Sequence, residues 1–170
     1  MLNCFDEYGY VFESVNSDLI INSASVDNFK NSAILLVGGS LQTNNLFITH
    51  GNGDGIDAFP YQSTTYKPPN ITATELNISD LLGTAIFTTG SIINIDGAEF
   101  FNNLMSMGMF VNQILKVTVH NSSFLDPNSV VLSVNDNAGD LNVDLSNNWW
   151  NDETGPWESN ANPDGKGVVS

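Results

Sequence analysis

The sequence contains no arginine, and lysine occurs only at Lys30, Lys67, Lys116 and Lys166. Nucleic acids and anionic lipid surfaces are held by cationic side chains. A chain of 170 residues with 19 acidic residues and a net charge of -15 therefore argues against either as a partner. Cysteine is nearly as scarce: Cys4 stands alone, no internal disulfide can form, and the fold must rest on packing and backbone ladders. No apolar run is long enough to span a bilayer, so membrane insertion is not expected. Asp6, Glu7 and Glu13 interrupt the start, which does not read as a signal peptide. The abrupt start suggests a piece cut from a longer protein, although Met1 is equally consistent with a native start. The acidity suits a soluble exported or salt-tolerant protein, and its plainest meaning is solubility.

What the chain does have is a repeated frame of eight places. In Ile93-Asn94-Ile95-Asp96-Gly97-Ala98-Glu99-Phe100, apolar residues hold places one, three and eight. A small residue holds place six, and a polar turn pair holds four and five. Leu19 to Val26, Leu46 to Gly53, Leu76 to Gly83, Val117 to Phe124 and Leu141 to Asn148 fit in part. The first column then reads Leu19, Leu46, Leu76, Ile93, Val117, Leu141, and the third Ile21, Ile48, Ile78, Ile95, Val119, Val143. Alternation of period two marks a strand with one buried face, so Ile20, Phe47, Asn77, Asn94, Thr118 and Asn142 should face outward.

A unit of this kind cannot bury its apolar side alone, and stacking the units solves the problem. Second apolar runs, such as Ala33-Ile34-Leu35-Leu36-Val37 and Thr84-Ala85-Ile86-Phe87, give each coil two strands or three. First-column intervals of 27, 30, 17, 24 and 24 residues lack the strict multiple of six of a left-handed hexapeptide helix. The expected fold is all-β, a parallel solenoid of about six to seven coils, with an open antiparallel sheet as the alternative. Residues 1–18 read as a partial coil or cap, 19–150 as the coils, and 151–170 as a C-terminal tail, all within one domain.

Asn52-Gly53-Asp54-Gly55-Ile56-Asp57-Ala58-Phe59 nearly repeats a calcium-binding nonapeptide in which glycines free carbonyls and aspartate supplies charge. Asn52, Asp54 and Asp57 are the candidate calcium ligands, against the plainer reading of a Gly-Asp turn. Otherwise no cofactor is indicated. Pro60, Pro68 and Pro69 mark a loop with Tyr61 and Tyr66. Three glycosylation sequons, beginning at Asn70, Asn77 and Asn121, carry meaning only in a eukaryotic secretory route.

The chain ends with Asn147-Asn148-Trp149-Trp150-Asn151-Asp152-Glu153-Thr154-Gly155-Pro156-Trp157 and Asn162-Pro163-Asp164-Gly165-Lys166-Gly167. With the repeat frame, this tail resembles right-handed parallel β-helix proteins of the pectate-lyase-like superfamily, above all the adhesin-like surface proteins of bacteria and archaea. Asn151 stands where that family often has glycine. The resemblance implies a right-handed helix in a secreted or cell-surface protein. It leaves activity open, because the fold hosts lyases, hydrolases and non-catalytic adhesins. Trp149 and Trp150 can close the end of the apolar column, and Trp157 is free to stack on a sugar.

Two functions follow. The first is a non-catalytic surface module, adhesive, structural or carbohydrate-binding. The second is a polysaccharide-degrading enzyme, for which the missing arginine favours a glycoside hydrolase over a pectate lyase. In the frame above, Asp96, His120 and Asp144 share place four, with Asn94, Thr118 and Asn142 beside them at place two. Two aspartates on either side of a histidine are candidates for acid and base in glycan cleavage. A Ser-His-Asp esterase has only His50 and His120 to draw on.

Overall fold

The computed structural model describes residues 10–61, 67–111, 114–126, 130–134 and 140–155. Its regular elements are all strands: β1 (Phe12–Val15), β2 (Asp18–Ile21), β3 (Ala24–Phe29), β4 (Ile34–Val37), β5 (Ser40–Thr43), β6 (Leu46–Gly51), β7 (Ile56–Phe59), β8 (Asn70–Ser79), β9 (Thr84–Thr88), β10 (Ile92–Phe101), β11 (Met105–Val111), β12 (Ile114–His120), β13 (Ser123–Phe124), β14 (Val130–Val134) and β15 (Asp140–Asp144). They stack as a parallel β-solenoid of about five turns, somewhat shorter than the six to seven coils expected. One sheet has six strands in the order β1-β4-β7-β9-β11-β14. The other has nine, with β15-β12-β10-β8-β5-β2 as one arm and β3-β6-β8 and β10-β13 as the second. Phe12–Val15, outside the repeat frame, lies in register with Ile34–Val37 as the first strand of the six-stranded sheet.

The register shows where the frame was cut correctly and where it slipped. Ile93 lies opposite Val117, and Ile95 opposite Val119, in parallel. Leu19, however, faces Leu41, which faces Ile71, which faces Ile93. Leu46 and Leu76 instead stand opposite each other in the second arm, and Leu76 lies opposite Ala98 at place six. At the far end Val117 pairs with Val143, not Leu141. The first column is therefore Leu19, Leu41, Ile71, Ile93, Val117, Val143, at intervals of 22, 30, 22, 24 and 26 residues. The longest interval carries the proline loop, closed by an antiparallel bridge between Tyr61 and Lys67.

Burial follows the corrected columns. Leu41, Ile71, Ile93 and Val117 at place one are buried, as are Leu46, Leu76 and Ala98 at place six. Place eight is the richest: Val26, Ile48, Ile78, Phe100, Phe124 and Trp150 are all buried. The Phe100 and Phe124 rings stack at 5.2 Å, and Phe124 lies nearly parallel to Trp150 at 4.4 Å. Among the described residues Trp150 is thus the last of the apolar column, while its neighbour Trp149 remains 49 % exposed. The six-stranded sheet contributes Ile34, Leu36, Ile56, Ile86, Met107 and Met109 from the opposite wall.

The nine-stranded sheet bends at place five, where Glu75, Gly97, Asn121 and Asn147 all adopt positive φ on successive coils. Such angles suit glycine and asparagine best. Side chains repair the backbone ladder across the bend. The Ala98 amide donates to Ser122 Oγ, and the Ser122 amide donates to Asn148 Oδ1, both at 2.9 Å. Asn148 Nδ2 then donates to the Val119 and Leu145 carbonyls. A polar residue inside the bend is therefore explained by the amides it satisfies.

Candidate functional site

The outer face of the nine-stranded sheet carries two shallow troughs, one on each side of the bend. Across places two and four the first gathers Thr72, Asn94 and Thr118 beside Thr74, Asp96 and His120, and encloses about 390 Å³. The second, about 300 Å³, is bordered by Glu75, Asn77, Glu99, Asn121, Ser123 and Phe47. Alternation brings these side chains outward, because their neighbours in sequence fill the core.

Along the second trough runs a register column at place seven. Phe47 stands opposite Asn77, Asn77 opposite Glu99, Glu99 opposite Ser123, and Ser123 opposite Trp149. Ser25 continues the column beyond Phe47, and the two aromatics in it are exposed, Phe47 at 44 % and Trp149 at 49 %. Four strand spacings separate them, about 19 Å. Asn77 donates to Glu99 across one rung, at 3.4 Å.

The three residues expected to share place four are not aligned. Asp96 does lie opposite His120, but Asp144 lies opposite Thr118, at place two. The cause is a register shift of two residues, which alternation cannot detect. Asp144 still reaches His120 diagonally, with Oδ2 3.0 Å from Nε2. Ser146 stands nearer the place left to it, its hydroxyl 3.3 Å from the same Nε2. Two strand spacings and a two-residue offset put the Asp96 and Asp144 backbones about 12 Å apart. Asn142 moves with Asp144 and lies opposite Lys116, away from Asn94 and Thr118.

Each carboxylate here already has partners. Asn121 Nδ2 donates to Asp96 at 2.6 Å. The Ser146 amide, then its hydroxyl and His120, hold the Asp144 carboxyl below its usual range. A general acid in glycan cleavage needs the opposite shift. Nor do Ser146, His120 and Asp144 form a nucleophilic relay. That chemistry uses one imidazole nitrogen for the hydroxyl and the other for the acid, whereas here both partners meet Nε2. His50 plays a similar bridging role at the next corner, with Nδ1 2.8 Å from Asp27 and Nε2 4.0 Å from Asp80.

Asn52, Asp54 and Asp57 occupy a different part of the molecule, the turn between β6 and β7 and the first half of β7 in the six-stranded sheet. Asn52 is exposed in the turn, while Asp57 lies within β7 and is only 8 % exposed. Ser32, from the preceding coil, donates to Asp57 Oδ2 at 2.6 Å. No local motif marks this bond, because it spans one whole coil. Desolvation first, and the neighbouring Asp54 carboxylate after it, push the Asp57 carboxyl up to about 6, against the Ser32 bond. A carboxyl raised in the folded state binds its proton more tightly there, so stability falls as pH rises from about 4 to 6 and stays low above. Discounted for solvent near the pair, the loss is on the order of 2 kcal/mol. Asp57→Asn should therefore raise stability at pH 7.5 in metal-free buffer and leave it nearly unchanged at pH 4, as urea titrations at the two pH values would measure. Equal effects at both would show that folding does not raise the Asp57 carboxyl.

Trp157 lies outside the described residues. The fold and its outer face define a parallel β-solenoid with shallow surface troughs, a class that hosts many activities. No family model matches the chain, and neither the curated proteins nor the solved structures contain a match.

Proposed function

We propose that this chain is a non-catalytic surface module that binds an extended carbohydrate along the second trough of its nine-stranded sheet. The observation that carries this reading is the place-seven column, in which exposed Phe47 and Trp149 bracket Asn77, Glu99 and Ser123. Aromatic faces stack on the apolar faces of sugar rings, and amide, hydroxyl and carboxylate groups between them take the hydroxyls. The length, about 19 Å, fits a glycan of several units. Glu75, Glu99 and Asp96 on this face favour a neutral or amino sugar and oppose a uronic acid or sulfated chain. The pectate-lyase-like and adhesin-like resemblance supports the same reading, together with a secreted or cell-surface setting.

The test is binding to a panel of neutral, amino and acidic polysaccharides, with soluble sugar release measured in parallel. Trp149→Ala and Phe47→Ala should each weaken binding of a neutral or amino glycan roughly 3–10-fold, the worth of one stacking contact, with the fold intact. Binding untouched by both changes would sink the proposal. Sugar release abolished by Asp96→Asn or Asp144→Asn would replace it with the glycoside hydrolase alternative.

A further inference from the structure

A second site is written into the six-stranded sheet, far from the troughs in the fold. Asp57 points outward from β7, yet neighbours cover it. One of its oxygens, Oδ2, accepts from Ser32, while Oδ1 is buried and has no hydrogen-bond partner. A buried carboxylate oxygen without a donor is costly and rare. The neighbouring Asp54 makes matters worse, because a second carboxylate repels the first. Asp54 is fixed in turn by the Thr84 amide, which donates to Oδ1 at 2.5 Å. The Gly53 carbonyl and the Asp54 carboxylate converge on Gly83, where a side chain would run into both. Three successive coils therefore bring together oxygen atoms and a net negative charge, with no cation from the chain among the groups described there.

We propose that Asp54 and Asp57, with the Gly53 carbonyl and water, bind one calcium ion between coils. Hard divalent cations take carboxylate and carbonyl oxygens, and calcium tolerates irregular, water-completed shells better than magnesium does. Among the described residues no three acidic or histidine side chains converge on one point. Two carboxylates place the site in the weak class of about 10⁻⁴ to 10⁻³ M. Ser32 is a positioning residue, fixing Asp57 Oδ2 and leaving Oδ1 for the ion. The bound ion supplies the unpaired oxygen with a partner and ties the Ser32, Asp57 and Thr84 coils together. Binding to the folded state alone raises its stability.

The experiment is calorimetric titration of the full chain with calcium chloride at pH 7.5, with melting temperatures in chelator and at 5 mM calcium. Wild type should bind one ion with a clear upward thermal shift, and magnesium should give a smaller one. Asp57→Asn keeps the shape of a neutral acid and should fold, but lose the heat and the thermal shift. Asp54→Asn should weaken both at least 10-fold. No saturable heat up to 10 mM, or binding unchanged in folded Asp57→Asn, overturns the site. Glycan binding is measured in chelator, so its outcome is independent of this one.

Discussion

Phe124→Ala should lower stability by about 3–5 kcal/mol, the range for removing a fully buried aromatic ring. Phe124 is completely buried and lies between two other rings, Phe100 and Trp150. Its removal leaves both with an empty face, and the coils above and below cannot close the gap without breaking strand register. For a chain of this size the change corresponds to a drop of about 6–20 °C in melting temperature. Urea denaturation followed by far-ultraviolet circular dichroism measures it directly. A loss below about 1 kcal/mol would mean that the stacked column is not what closes the lower end of the core.

Gly39→Ala is expected to be comparably damaging, for a backbone reason. Gly39 joins β4 to β5 at a corner, with φ of 67°. A methyl group there would overlap the Ser17 backbone of the preceding coil. The left-handed angle costs about 1–2 kcal/mol for any other residue, and the forced displacement adds about 1–3 kcal/mol. The overlap is with main chain, so no side-chain rotation relieves it. Ser40 also donates to the Ser17 carbonyl at this point, at 3.2 Å. The same denaturation experiment should show a loss of about 2–5 kcal/mol, and a variant as stable as wild type would contradict the corner geometry.

The solenoid itself was legible because period-two alternation survives in each coil. The register was legible only where both apolar places of the first arm are filled, as in Ile93 and Ile95 or Val117 and Val119. Thr43 and Ala73 occupy place three on two coils, so the arms beginning at Leu41 and Ile71 carry a weaker apolar alternation than those at Leu46 and Leu76. At the far end, Leu141, Val143 and Leu145 alternate identically, and only the eighth place distinguishes the two registers. Putting Trp150 beneath Phe100 and Phe124 would have settled it. That single slip also misplaced Asp144. Trp149 and Trp150 are adjacent in extended chain and so face opposite ways, which gives the core one ring and the surface the other.

The first column gives the molecule a property that no single coil has. Ile71 and Ile93 occupy the same lateral position, 22 residues apart, and Val117 and Val143 repeat it at other spacings. The longest interval includes the segment whose ends, Tyr61 and Lys67, meet in an antiparallel bridge, and the described strands on either side of it keep their parallel register. Height is therefore counted in whole turns, while the cross-section stays constant. A gene encoding such a chain can lengthen or shorten it by one turn and preserve every wall. The distance between Phe47 and Trp149 would then change in steps of one strand spacing, making reach a quantity that duplication can adjust without redesigning any contact.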